Sequence, residues 1–267
     1  MERELTDQEE KNIQMGILDA VHNFCVQSGK INYFLAYGTL IGAIRHKGYI
    51  PWDDDIDIGM LRKDYELFKA TFNQSNSRFY FSDVTIDPKH DRPFGRIYDR
   101  NYVIYQNDKV VRQDDKASHP FIDLFCFDNA SDNDDELKQQ FYWRDGLRQF
   151  CRLKYGYEKL KNPSFYQRIK FALVRLLPVR FYLKMMIRKA KKYANVETKR
   201  VGDFLGYYIY TAPKTVFDSY IDVEFEGKKY KAPAGYDELL TLTYGDYMTP
   251  PPPEKRRTPH SRWSVME

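Results

Sequence analysis

Apolar and polar positions alternate along this chain with two different periods, and the change of period divides it. Ile13, Ile17, Leu18, Val21 and Cys25 recur at three- and four-residue spacing, the stripe of an amphipathic helix. Thr6 followed by Glu9 is a capping box in front of that stripe, so a helix is expected from about Asp7 to Gln27, stopped by Gly29. Tyr33 to Tyr37 is a short apolar run read as a strand, broken at Gly38-Thr39, with Leu40 to Arg45 forming a turn of helix. Asp55-Ile56-Asp57-Ile58 alternates acid with apolar residue, the period of a two-faced strand. Arg62 to Thr71 reads as helix. Short aromatic segments between Arg78 and Tyr105 read as antiparallel strands, and Asn107 to His119 as a polar loop. Phe121 to Phe127 is a strand with Asp123 inside it.

Beyond residue 131 the helical period dominates. A helix begins at the acidic stretch Asp132 to Glu136 and runs to about Tyr155. A second helical stretch, Phe165 to Tyr193, is interrupted near Pro178. Phe225 to Tyr230 carries a hairpin turn, Tyr236 to Leu242 is helical, and Pro250 to Pro253 is stiff and extended. The expected class is α/β (α+β), a mixed sheet flanked by helices with an added helical region. Three parts are expected: a catalytic core over residues 1–131 including the strand 121–128, a basic helical subdomain over 132–202, and a C-terminal segment over 203–267 that returns to the active site.

Composition narrows the class. The 267 residues allow a sizeable core. Forty-two Lys and Arg against 38 Asp and Glu give a net charge of +4, too slight a bias, without any nucleic-acid-binding signature, to suggest a nucleic-acid partner. Cys25, Cys126 and Cys151 are odd in number and lack metal-ligand spacing, so they read as idle thiols in a reducing compartment. The first residues are charged and no window approaches ~18 uninterrupted apolar positions. A cytoplasmic protein is expected. The stretch Phe165 to Tyr193 holds nine basic residues, no acidic one and many large apolar side chains. Such a segment suits either a buried-faced subdomain or peripheral contact with an anionic membrane at the inner face of the cell membrane.

The chemistry sits in IPWDDDIDIGM, residues 50–60. On a strand, Asp55 and Asp57 leave the same face and repel unless neutralised. Mg2+ (or Mn2+) does this well, since hard cations take oxygen ligands and keep phosphates in their shell. Asp123, inside an apolar run, needs a partner or a metal and is the natural third ligand, with Asp128 at the strand end as its competitor. Three carboxylates could hold one or two ions over a diphosphate. Gly38-Thr39, after an apolar strand, could present backbone N–H groups to phosphate.

Three segments together resemble a known family. YGTLIGAIRHKGYIPWDDDIDIGMLRKDYELF (residues 37–68), FIDLFCFD (121–128) and YGDYMTPPPPEKRRTPH (244–260) are similar to motifs of the LicD family of phosphocholine transferases, related to the fukutin-type phosphosugar transferases. The resemblance implies a nucleotidyltransferase-type fold in which Gly38-Thr39 begins the phosphate-side helix. Asp55 and Asp57 match its paired metal ligands and Asp123 the third. It implies CDP-choline as donor and, as acceptor, a hydroxyl on a cell-surface glycan precursor such as teichoic acid or lipopolysaccharide, expected to be lipid-linked. CDP-ribitol or CDP-glycerol as donor, or phosphocholine or metal binding without turnover, are the competing readings. On the expected in-line displacement, Asp53 or Asp54 is a further candidate proton acceptor. Arg45, Lys47, Arg96, Arg256 and Arg257 are candidates to balance phosphate charge, His46 and His260 to touch substrate, and Trp52 to orient the acidic loop.

Overall fold

The computed structural model describes residues 2–106, 117–155, 164–206, 208, 210–256 and 263–266. Strand β1 (Glu2–Glu4) leads to helix α1 (Asp7–Ser28), where both halves of the Thr6/Glu9 capping box form and Gly29 closes the C-terminus at φ 59°. Next come β2 (Phe34–Leu35), α2 (Tyr37–His46), β3 (Asp57–Leu61), α3 (Arg62–Ser75), β4 (Phe79–Ser82) and β5 (Gly95–Asp99). Then β6 (Ile104–Gln106), β7 (Ala117–Ser118) and the long β8 (Phe121–Ala130) follow. Helices α4 (Asp134–Tyr155), α5 (Phe165–Leu176) and α6 (Val179–Ala190) precede β9 (Arg200–Gly202) and β10 (Thr211–Pro213). The hairpin β11 (Tyr220–Phe225) and β12 (Lys228–Pro233), helix α7 (Tyr236–Tyr244) and β13 (Trp263–Met266) complete the order. The class is mixed α/β, as the periodicity indicated.

Strand β8 is the hub of the seven-stranded sheet. It runs parallel to β3 from Asp57↔Asp123 to Leu61↔Phe127, antiparallel to β5 over Phe121 to Leu124, and antiparallel to β9 over Asp128 to Ala130. Alternation then sorts its side chains. Asp123, Phe125 and Phe127 share one face, where Phe125 meets the Tyr37 ring at 4.9 Å and Phe127 meets Phe34 at 5.2 Å. Cys126 and Asp128 share the other, which α3 covers. Phe24 of α1 packs edge-on against Phe68 and Phe72 of α3, so the two helices are joined by aromatic contacts. Strands β1, β13, β6 and β7 form a separate four-stranded sheet.

Several boundaries differ from the sequence reading. Helix α2 starts at Tyr37, not Leu40, so Gly38 and Thr39 lie inside its first turn. Strand β3 starts at Asp57, which leaves Asp55 in the preceding loop. Strand β8 runs on to Ala130. The helical stretch breaks at Leu177-Pro178 as expected, giving α5 and α6. Glu226 and Gly227 have φ of 48° and 73°, the left-handed pair of a tight hairpin turn. The polar loop expected from Asn107 lies outside the described residues up to position 116. The three cysteines are buried and unpaired, as expected of idle thiols.

Candidate active site

The site begins with a register. Asp57 opposes Asp123 across the β3–β8 ladder, and Asp123 opposes Arg96 across the β8–β5 ladder. Register partners face the same side, so three strands present an Asp–Asp–Arg row. Arg96 Nε donates to Asp123 Oδ1 at 2.8 Å, and its guanidinium lies 3.7 Å from the Phe121 ring centre. The acid is thus held by a cation that is itself stacked on an aromatic face.

The loop before β3 adds the carboxylates of Asp53, Asp54 and Asp55, whose oxygens lie within 4.8 Å of one another. Gln14 of α1 fixes this loop by donating to the Asp54 carbonyl at 2.7 Å. Asp57 feels the crowd: burial first, then the charges of Asp55, Asp123 and Asp53, push its carboxyl well above the usual range. Among the described residues, Asp53–Asp55 form the group of three carboxylates that approach closely enough to share an ion, and the charges of Asp55, Asp123 and Asp53 all act on Asp57 beside them. An all-oxygen donor set carrying this much mutual repulsion fits a hard divalent cation.

Helix α2 points its N-terminus into the same place. Ala36, its N-cap, makes no side-chain bond to the first turn, and first-turn N–H groups are the part of a helix suited to meet an anion. The Thr39 hydroxyl accepts the Asp57 N–H at 2.8 Å, tying the helix to the acid row. A Cβ at position 38 would stand 2.4 Å from Asp53 Oδ2, so glycine is what allows helix and acid loop to meet. Tyr37 enters the helix at φ 48°, a strained value for a bulky residue. Its hydroxyl donates to the wholly buried Asp203, which holds it there.

Asp203 belongs to a wall that sequence reasoning missed. Its carboxylate accepts the N–H groups of Leu205 and Gly206 at 2.9 and 2.7 Å, and burial raises its proton affinity against the pull of those bonds. The Tyr208 ring stacks on Tyr37 at 5.1 Å and meets Tyr244 edge-on at 5.2 Å. The Tyr244 hydroxyl is pushed up by burial, then by Tyr208, with Asp57 adding to the effect. From α4, Arg144 donates to the Tyr208 carbonyl at 2.6 Å and Arg148 to the Gly206 carbonyl. The available signal was the Asp203-to-Gly206 turn, an aspartate bonding its own backbone.

The remaining predicted residues distribute as follows. Arg45 donates to the Tyr247 carbonyl and to His46 Nε2, and burial with the Arg45 charge depresses the His46 pKa. The His46 ring meets Trp52 edge-on at 6.3 Å, and the Arg256 guanidinium lies 4.4 Å over Trp52. The 244–256 segment therefore reaches the acidic loop. Lys47 closes α2 at φ 62°, its carbonyl accepting from Glu226 N–H at 2.9 Å. Arg257 and His260 lie outside the described residues. Asp128 is not brought into the site. It is 0 % exposed, points from the opposite face of β8, and both its oxygens are taken by the Arg62 fork at 2.7 Å.

Residues 30–165 match the family model described as LicD/FKTN/FKRP, nucleotidyltransferase domain. The chain is 30% identical over 270 residues to the lipopolysaccharide cholinephosphotransferase LicD of Haemophilus influenzae, covering 97% of each chain. It is also 32% identical over 138 residues to an uncharacterised protein of Rickettsia typhi, covering 50% of this chain and 36% of that one. A second uncharacterised protein, from Rickettsia prowazekii, is 56% identical over 34 residues, 13% of each chain.

Proposed function

The chain belongs to the LicD/FKTN/FKRP nucleotidyltransferase family, and from that premise we propose that it transfers phosphocholine from CDP-choline to a hydroxyl of a cell-surface glycan precursor, releasing CMP. It is a phosphotransferase; the donor and acceptor are our assignment. The observation that carries the reading is the meeting of three things at one place. These are the Asp57–Asp123–Arg96 row, the Asp53–Asp55 cluster and the N-terminus of α2. Carboxylates with one fixed arginine and a helix N-terminus suit a diphosphate ester better than any neutral ligand.

In this reading Asp55 and Asp57, with Asp53 and Asp54 beside them, would hold Mg2+ or Mn2+, which when bound neutralises diphosphate charge. The α2 first turn binds donor phosphate through backbone N–H groups. Arg96 keeps Asp123 oriented in the row. The acceptor oxygen forms a bond to the phosphorus bearing choline while the bond to the CMP oxygen breaks, and a loop carboxylate takes the hydroxyl proton. Tyr208 and Tyr244 offer their rings to the trimethylammonium group. The relative from Haemophilus influenzae is named for lipopolysaccharide as acceptor; teichoic acid precursors present the same hydroxyl chemistry, and a lipid-linked form of either suits the reading.

The test is CMP release from CDP-choline, CDP-ribitol and CDP-glycerol, each with a glycan acceptor and each with and without EDTA. Release from CDP-choline alone, stopped by EDTA and restored by Mg2+, is expected. Release from another donor but not from CDP-choline would overturn the donor assignment. No release from any of them would favour binding without turnover.

A further inference from the structure

Helix α5 wears its apolar stripe on the outside. Phe165, Ile169, Leu173 and Leu176 recur at four-, four- and three-residue steps, so they share one helix face. That face looks away from the protein: Phe165 is 79 % exposed, Leu173 60 % and Leu176 77 %. Among the described side chains of α5, Val174, half a turn away on the opposite side, is buried at 8 %. Leu177 and Phe181 carry the exposed apolar surface across the Pro178 break into α6. The two helices differ sharply here, because α6 buries Tyr182, Leu183 and Met186 and is part of the scaffold.

Basic side chains rim this surface. Exposed Arg168 and Arg175 lie along one flank of the α5 stripe, and exposed Lys184 and Arg188 follow Phe181 at three- and seven-residue steps on α6. Residues 164–193 contain no Asp or Glu. The surface is also fixed in place, since Lys154 of α4 donates to the carbonyls of Arg175 and Leu177 at the end of α5. Soluble monomers rarely expose a contiguous apolar patch of more than about 300–600 Å2 without a use for it.

We propose that the outer face of α5 and the start of α6 docks on an anionic lipid surface. The apolar side chains would enter the acyl boundary while the arginines and lysines reach the headgroups. Insertion across the bilayer is not involved: α5 has 12 residues, and among the described residues no helix is long and apolar enough to cross a membrane. A second copy of the chain is the poorer occupant, because two such faces would bring two cationic rims together with no carboxylate between them. Two of the charges elsewhere on the basic stretch are already engaged within the protein. Lys191 pairs with Glu66 at 2.9 Å and Lys189 lies 4.6 Å over Trp143. The docking surface is therefore narrower than the whole basic segment and does not depend on which donor the active site takes.

The test is co-sedimentation of the full chain with phosphatidylcholine vesicles and with vesicles also containing phosphatidylglycerol. Free phosphocholine is present throughout, so that headgroup binding at the active site is saturated. Binding to the anionic vesicles is expected, weakening with salt as charges are screened within about 8 Å at physiological ionic strength. The triple variant R175Q/K184Q/R188Q should bind about 100-fold more weakly, and I169Q/L173Q/L176Q should stay in the supernatant. All altered side chains are exposed, so both variants should melt with the wild type. Equal sedimentation with both vesicle types, or wild-type binding by either variant, would overturn the proposal. So would a stable dimer that the apolar variant dissociates, which would assign the face to a second copy.

Discussion

Gly38→Ala separates the site from the scaffold with a single methyl group. The added Cβ would lie 2.4 Å from Asp53 Oδ2 and 3.6 Å from its Cγ. Ordinary contact between such atoms is about 3.4 Å, so the carboxylate must retreat by roughly 1 Å. Gly38 has helical rather than left-handed backbone geometry and sits in the first turn of α2, so alanine there gains about 0.5–1 kcal/mol of helix stability. Turning Asp53 off its preferred rotamer costs about 0.5–1.5 kcal/mol. The two nearly cancel, and the melting temperature should move by no more than about 4 °C. Activity should behave otherwise, because a 1 Å misplacement of a reacting group costs about 100-fold in rate. The assay is the initial rate of CMP release across a Mg2+ titration, with a thermal melt of the same preparation. A rate near 1% of wild type with a raised Mg2+ requirement is expected. A fully active variant with unchanged Mg2+ dependence would refute the placement of α2 against the acid loop.

Three further outcomes follow from the geometry. Asp57 gains proton affinity on folding, so in metal-free protein its ionisation opposes folding above about pH 4, the unfolded value, and increasingly so up to its raised folded value. Asp57→Asn should therefore raise the metal-free melting temperature at neutral pH while abolishing transfer, with the gain shrinking as pH falls toward about 4; equal melting at every pH would contradict the crowding. Asp123→Asn should cut kcat by about 100-fold or more with the fold retained, whereas Asp128→Asn, which leaves Glu66 as the carboxylate partner of Arg62, should lose about 1–3 kcal/mol of stability by denaturant titration. An unstable Asp123 variant beside a stable Asp128 variant would reverse the two roles. Tyr244→Leu should raise KM for CDP-choline about tenfold with little change for CDP-glycerol; equal effects on both donors would remove the aromatic contact to the ammonium group.

The parts legible in the sequence were those governed by local rules. The Thr6/Glu9 box, Gly29 and the period of α1 fix that helix within a residue, and Pro178 divides α5 from α6 where proline should. Periodicity alone starts α2 three residues late because glycine reads as a breaker, whereas the family resemblance places Gly38-Thr39 at the helix start, within a residue of Tyr37; that Gly38 serves a close approach is visible only in the tertiary structure. Asp55 was assigned to a strand by alternation, yet ladder pairing begins at Asp57. The separation of Asp123 from Asp128 could have been read: five residues along a strand is an odd offset, so their side chains leave opposite faces. Asp203 left only its local turn as a signal and Tyr244 only its place in the 244–260 motif; their meeting with Tyr208 and Tyr37 was not legible, because it joins residues more than 150 positions apart in the chain.

The long β8 strand has a consequence for how the protein is made. Residues emerge from the ribosome in order, and the Asp57–Asp123–Arg96 row is complete once β8 is free to pair with β3 and β5. Tyr208, Tyr244 and the Arg256 contact to Trp52 arrive only with the last quarter of the chain. Between those two moments a nascent chain exposes a cluster of carboxylates with half of its walls missing. On the function proposed above, translation that halts there would leave a species able to attract divalent cations and unable to position a donor, and the arrival of the C-terminal segment at the acidic loop would mark the point at which the two abilities become one.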